Sequence, residues 1–193
     1  MDDLHIGLSY RSDIESDLFD DFISLVSVQD LRLYIEERQK TIYAGLEWLV
    51  PTAVFIFISK SYFDGFLKEM GKEHYHVLKN ALKNITKRLL GPTGPRFVRV
   101  TSGKGKVPEN DNYSLVFSVV AEVGEGKNIK LLIQNDVSQL ECEEIINSFM
   151  DFLDNCHNMK IDIKLLEAQE TYRERTILVE FNRKTKTIEK IIM

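Results

Sequence analysis

Ionisable and hydroxyl side chains stand at two points where an apolar strand pattern gives way to a helical one. Tyr10 and Arg11 follow an alternating apolar segment, and Ser59 follows the unbroken apolar run at residues 53–58. An arginine can hold a phosphate through two parallel hydrogen bonds, and the start of the next helix can assist it. The first point therefore predicts an anion-binding turn, and a plain exposed turn is the alternative.

The second point carries a carboxylate between two lysines. Lys68 and Glu69 lie within three helical turns of Ser59, and Lys72 follows Glu69 three residues later. A carboxylate beside a cleft can polarise a sugar hydroxyl or stabilise an oxocarbenium-like centre. The sequence thus offers Glu69 as a catalytic residue and Tyr10, Arg11, Ser59, Lys68 and Lys72 as substrate-binding residues. The alternative is a surface helix with ion pairs along its own axis.

The elements that would position these residues alternate between strand and helix patterns. Strand patterns cover residues 4–10, 31–36 and 53–59, and helical patterns follow each of them. This order predicts a parallel sheet with the strands arranged 31–36, 4–10, 53–59. Parallel strands end at one edge, where open α/β sheets bind ligands. We therefore expect Glu69 to lie in a cleft, opposite Tyr10 or Arg11.

The pattern of the second half of the chain predicts an antiparallel α+β arrangement. Apolar runs at 113–123 and 129–134 are joined by a glycine-rich segment, and a second strand pair is predicted at 176–182 and 186–192. Ser138 and Glu141 form a capping box that predicts a helix between the two hairpins. We place a boundary near residues 91–95, which divides the chain into units at 1–91 and 92–193. The alternative is that the second unit packs with the first as one domain.

Length and composition exclude several classes of protein. The chain has 193 residues, 44% apolar and 28% charged, which is ordinary globular usage. Its two cysteines cannot form a disulfide framework, and no Cys/His spacing suits a metal ion. The longest apolar stretch, at 44–59, contains Glu47 and Pro51 and is too short to cross a membrane. These features predict a cytoplasmic protein without a membrane span.

Charge is distributed unevenly along the chain. The net charge is −5, but residues 60–106 carry 11 basic and 3 acidic side chains between two acidic flanks. The acidic total argues against nucleic acid as a partner. A basic row at helical spacing runs through Lys68, Lys72, His76, Lys79, Lys83 and Lys87. This row is interpreted as a solvated face, as a complement to acidic parts of the same or another copy, or as a docking face for an acidic protein.

Several short segments of the first half resemble the TIR (Toll/interleukin-1 receptor) domain, a flavodoxin-like fold. The resemblance covers residues 4–85, and the second half of the chain does not share it. The residues that carry it are Ile6-Gly7-Leu8-Ser9-Tyr10, similar to the family's F-I-S-Y; Ala44-Gly45-Leu46; Ser59-Lys60-Ser61-Tyr62, similar to S-x-x-Y; and Gly65 to Glu69, where Gly65 replaces the tryptophan of W-x-x-x-E.

The resemblance implies a signalling or defence domain that self-associates and that binds or cleaves a nucleotide such as NAD. In enzymatic members the glutamate of the W-x-x-x-E segment acts in NAD cleavage, which implies that role for Glu69. NAD would then be a substrate, and no cofactor is expected. The alternative function is a non-enzymatic interaction module that docks an acidic partner through the basic helix.

Overall fold

Buried apolar side chains at every second position of the central strands cover one face of a seven-stranded sheet. The computed structural model describes residues 4–39, 52–97, 112–124, 126–161 and 176–191. The strands form a single sheet in the order β2-β1-β3-β4-β5-β6-β7. They are β1 (Ile6–Arg11), β2 (Leu33–Arg38), β3 (Val54–Ile58), β4 (Tyr113–Gly124), β5 (Lys127–Gln134), β6 (Thr176–Asn182) and β7 (Thr187–Lys190).

Helical segments lie between β1 and β2, between β3 and β4, and between β5 and β6. A 3₁₀ turn (Ser16–Phe19) leads into α1 (Asp20–Val26) between β1 and β2. A π-helical turn (Tyr62–Phe66), α2 (Leu67–Met70) and α3 (Lys72–Leu90) lie between β3 and β4, and α4 (Gln139–His157) lies between β5 and β6. Helix α4 begins with the predicted capping box, in which the Ser138 side chain accepts from the Glu141 amide at 3.2 Å. Within the described ranges, no helix is both long and apolar enough to span a bilayer.

The strand order predicted for the first half is confirmed, but the predicted parallel sheet is wrong. Strand β2 pairs with β1 in parallel, whereas β3 pairs with β1 antiparallel. The chain re-enters the sheet at the edge where β2 ends, since Arg38 donates to the Thr52 and Ala53 carbonyl oxygens at 3.3 and 3.2 Å. A parallel third strand would begin at the opposite edge of the sheet. The segment 44–46 quoted for the TIR resemblance lies outside the described residues.

The hairpin, helix and hairpin predicted for the second half are confirmed. Strands β4 and β5 pair antiparallel, as do β6 and β7, with α4 between the hairpins. The two halves join within the sheet, because β3 pairs in parallel with β4 from Val54–Phe117 to Ile58–Ala121. The protein is thus a mixed α/β fold whose described strands form one seven-stranded mixed sheet.

One face of the sheet, called here the helix face, packs against α1, α3 and α4. Apolar side chains from the strands and the three helices form one core on this side. The strand residues of this core include Ile6, Leu8, Val54, Ile56, Ile58, Phe117, Val119, Ile129, Leu131, Ile177 and Val179. The opposite side, called here the back face, carries no helix among the described residues.

Candidate functional site

The structure does not bring the sequence-predicted residues together. Tyr10 and Arg11 end β1, whereas Ser59 follows β3 and lies beside the start of β1, where its hydroxyl donates to the Leu4 and His5 carbonyl oxygens. Strand β1 has six residues, so these edges are about 17 Å apart at 3.3 Å per residue. The antiparallel direction of β3 is the cause, because it moves the end of that strand to the other edge.

The residues at the end of β1 have local structural partners. Tyr10 is buried in the core, where its ring lies 4.6 Å from that of Phe19. Arg11 pairs with Asp13 at 2.5 Å, and its guanidinium stacks over the Phe97 ring at 4.5 Å. The turn therefore fixes the arginine by a bidentate ion pair and a stacked ring.

Glu69 is exposed in α2, and the prediction that it faces Tyr10 or Arg11 is wrong. It lies close enough to His5 to favour the charged form of that ring. Lys68 and Lys72 are also exposed. All three belong to the edge at which β3 ends. Gly71, at a positive φ, separates Glu69 in α2 from Lys72 in α3, so the two do not lie on one continuous helix.

Two members of the basic row are paired within the chain. Lys79 contacts Asp151 of α4 at 2.6 Å, and Lys87 contacts Glu143 of the same helix. These contacts support the interpretation of the positive middle segment as internal charge complementarity. Lys72 and His76 stay exposed at the start of α3.

His74 is buried, and His157 is partly buried, behind the edge at which β3 ends. The Tyr62 hydroxyl lies 3.3 Å from Nδ1 of His74, whose Nε2 is buried without a hydrogen-bond partner. His157 stacks on Phe63 with ring centroids 4.0 Å apart, and its Nε2 is likewise unpartnered. Burial holds the pKa of both histidines below the ordinary value of 6.5. Both rings are therefore neutral in the folded protein near neutral pH.

These two histidines make stability depend on pH. Their pKa is lower in the folded chain than in the unfolded chain, so the unfolded state takes up protons first as the pH falls below about 6.5. We expect the free energy of unfolding to decrease between pH 7.5 and pH 5.5. Urea unfolding at the two pH values measures this decrease, and His157→Phe should reduce it. His76→Gln, at an exposed site, should leave it unchanged; an equal change in both variants would contradict the assignment.

A large opening lies on the back face, toward the edge at which β3 ends. It is a groove of about 1090 Å³ that runs from β2 across β1 and β3 to β5. Its lining residues are Leu4, Arg32, Leu33, Tyr34, Phe57, Ser59, Ser61, Glu122, Gly126 and Asn128. Of the residues predicted from the sequence as a site, Ser59 lines this groove.

The strand register places the groove residues in two rows across the sheet. Tyr34, Gly7 and Phe57 are direct neighbours in one row. Glu122 and Asn128 pair in the next row toward the edge. Aromatic side chains thus stand on either side of a glycine, and polar side chains lie along the rim.

The side chains of Leu4, Ser59 and Ser61 are fixed at the floor of the groove. A Cβ atom on Gly7 would lie 3.9 Å from Leu4 Cδ2, so the leucine covers the space that the glycine leaves. The Ser61 hydroxyl donates to the Leu4 carbonyl oxygen at 2.7 Å, and the hydroxyls of Ser59 and Ser61 lie 2.7 Å apart. The two hydroxyl groups therefore hold the backbone at Leu4, whose side chain forms the apolar part of the floor.

Sequence reasoning missed most of this groove, and it also missed a buried lysine on the same face. Lys130 pairs with Val120, which pairs with Phe57. It is 8% exposed, and burial lowers its pKa to about 8, with a further contribution from the Arg38 charge. In the sequence, the single lysine inside the apolar run at 129–133 is the feature that indicates a charged side chain buried on this face.

Comparison of the chain with models of known protein families, with curated proteins and with solved structures finds no match. Among the residues that the structure describes, no group of three or more His, Cys, Asp or Glu side chains is placed to hold a metal ion. The back-face groove itself presents aromatic, amide, carboxylate and guanidinium groups.

Proposed function

We propose that this chain is a nucleotide-binding module that takes its ligand in the back-face groove. The observation that carries the proposal is the pairing of two aromatic side chains with a carboxylate, an amide and an arginine around one opening. Binding sites for small ligands combine an apolar surface with a few placed polar groups in this way. Nucleotide binding was also an expectation from the sequence, but at a different place.

The aromatic pair suits the planar base of a nucleotide. Tyr34 and Phe57 are separated by β1, so their Cα atoms are two strand spacings apart, about 10 Å. That separation leaves room for a ring between the two side chains, above the leucine floor. Stacking of a base on an aromatic side chain contributes about 1–3 kcal/mol.

The polar rim suits the sugar and the phosphate. Glu122 and Asn128 present a carboxylate and an amide side by side, a combination that can hydrogen-bond the two hydroxyls of a ribose. One oxygen of Glu122 accepts from the Lys60 amide at 3.1 Å, which fixes the position of the carboxylate. Arg32 supplies a guanidinium for a phosphate.

The proposal is limited to binding. Cleavage of NAD, which the TIR resemblance implies, assigns catalysis to Glu69, and Glu69 is not among the residues that line the groove. Docking of an acidic protein through the basic helix is the other function considered. It is less favoured because Lys79 and Lys87 are already paired with α4.

Calorimetric titration of the full chain with AMP and with NAD tests the proposal. We expect wild type to bind, and Phe57→Ala to weaken binding about tenfold or more through the loss of one stacking surface. Asn128→Trp should weaken it similarly, because the indole would occupy the groove. Glu69→Gln is the matched control at an exposed site and should leave the affinity unchanged. Circular dichroism checks that every variant is folded.

Three results would contradict the proposal. Wild type that binds neither nucleotide would remove it, and so would affinity that survives both groove variants. Release of nicotinamide from NAD that is abolished by Glu69→Ala would replace binding in this groove with cleavage at the other edge.

A further inference from the structure

We propose that β2 is a self-association edge, on which a second copy of this chain adds its own β2 antiparallel to the first, with the two-fold axis at Tyr34. The proposal does not depend on nucleotide binding. It rests on the backbone, the exposure and the charge pattern of one strand. The pairing would join two seven-stranded sheets into one.

The backbone of β2 leaves alternate residues directed outward. Ile6 donates to the Arg32 carbonyl oxygen and Ser12 donates to that of Arg38, so even-numbered residues bond to β1. In a parallel ladder the odd-numbered residues then direct both their amide and their carbonyl away from β1. Leu33 and Ile35 are therefore set to bond to a further strand, and β2 has no second strand neighbour among the described residues.

The side chains of β2 are unusually exposed for their type. Tyr34 is 58% exposed and Ile35 is 41% exposed, and the four central residues of the strand are all exposed. An exposed apolar edge strand is a template for pairing with another chain. At the far edge of the sheet, β7 is four residues long and carries Glu189 and Lys190, as protected edges do.

Charge complementarity selects the register. Outward-directed residues must oppose each other in an antiparallel pair, so the centre falls on one residue of the strand. With Tyr34 at the centre, each Leu33 faces the partner copy's Ile35, and each Arg32 faces its Glu36. These are two apolar pairs and two opposite-charge pairs, and each Leu33–Ile35 pair exchanges two backbone hydrogen bonds.

The neighbouring registers are less favourable. A centre at Ile35 places Arg32 opposite Arg38, and a centre at Glu36 places the two Glu36 carboxylates opposite each other. Like charges directly opposite destabilise a strand pair. The strand is thus complementary to itself in the register centred on Tyr34, which is the reason for assigning the edge to a second copy rather than to an unrelated peptide.

Sedimentation velocity over a range of concentrations tests the edge. We expect wild type to form a dimer as concentration rises, and Ile35→Lys to raise the dissociation constant about tenfold or more, since it places a lysine in both apolar pairs. Leu140→Lys is the matched control, because Leu140 is 80% exposed on α4. Wild type that stays monomeric at millimolar concentration would overturn the proposal, as would equal weakening by both variants.

Two further experiments test the register. Among single cysteine variants at positions 33 to 36, Tyr34→Cys should form the disulfide-linked dimer fastest, because residue 34 would face its own copy. Fastest cross-linking at position 35 or 36 would overturn the assigned centre.

Arg32→Glu should weaken the dimer, and Arg32→Glu with Glu36→Arg should restore it. A double variant whose dimer is no stronger than that of the single variant would remove the ion pairs from the proposal.

Discussion

Replacing Ile56 with alanine is expected to lower the free energy of unfolding by about 2–5 kcal/mol. Ile56 is fully buried on the helix face, with Leu8 of β1 and Val119 of β4 as its direct neighbours. Removing its side chain leaves a closed cavity beneath the helices, which the surrounding strands cannot collapse to fill. Because small domains are stable by only about 5–15 kcal/mol, this is a large fraction of the total. Urea unfolding measures the difference.

The adjacent Phe57 provides the comparison. The sequence predicts that Phe57→Ala costs about 3–5 kcal/mol, as for an aromatic residue in the core. The structure places that ring on the back face, where it lines the groove and stays partly exposed. We therefore expect Phe57→Ala to destabilise the protein less than Ile56→Ala, although phenylalanine is the larger residue. The reverse order would show that the two faces of β3 are assigned incorrectly.

Gly94→Ala is expected to destabilise the protein by about 1–3 kcal/mol, the usual cost of forcing an atom into a packed site. Gly94 lies in the turn that follows α3, and its amide donates to the Gly91 carbonyl oxygen at 3.1 Å. A Cβ atom there would lie 2.1 Å from the Leu89 carbonyl oxygen and 2.9 Å from that of Arg88. Backbone atoms cannot rotate away as a side chain can, so the end of the helix must shift. Thermal unfolding reports the loss.

Gly65 supplies the control for this substitution. It lies in the π-helical turn, and no atom lies within 4 Å of where its Cβ would stand. Gly65→Ala should raise stability by about 0.5–1 kcal/mol, because alanine loses less conformational freedom than glycine in a helix. Destabilisation at Gly65, or an unchanged stability at Gly94, would contradict the packing described for these turns.

The second half of the fold was predictable because its signals are local. Each hairpin joins strands that are close in sequence, and α4 carries a capping box at Ser138 that marks its first turn. The direction of β3 was not predictable in the same way. An apolar run such as residues 53–58 has the same pattern in either direction, and its direction depends on how the preceding segment returns to the sheet.

The site predicted from the sequence does not form because β3 runs opposite to the predicted direction. Ser59, Lys68 and Glu69 follow β3, so reversing the strand carries them all to the other edge of the sheet. Tyr10 was expected in a cleft, but it belongs to the apolar alternation of β1 and is buried with it. The groove was not visible in the sequence because its rows combine residues from strands far apart in the chain.

The alternation of strand directions has an electrostatic consequence. Helix α3 begins at the edge where β3 ends, whereas α1 and α4 begin at the edge where β1 and β5 end. The peptide dipoles of α3 therefore oppose those of the helices on either side. Lys87 and Arg88, at the negative end of α3, pair with Glu143 of α4 and with Asp21 in the first turn of α1.

Opposed dipoles partly cancel at a distance, so each edge of the sheet gathers less positive field than three parallel helices would concentrate at one edge. An anion that binds the back face would have to be held by side chains, above all by a guanidinium such as that of Arg32. Attraction of this kind depends on exposed charge and is screened over about 8 Å at physiological ionic strength. Added salt would therefore weaken a phosphate-bearing ligand more than an uncharged one with the same base.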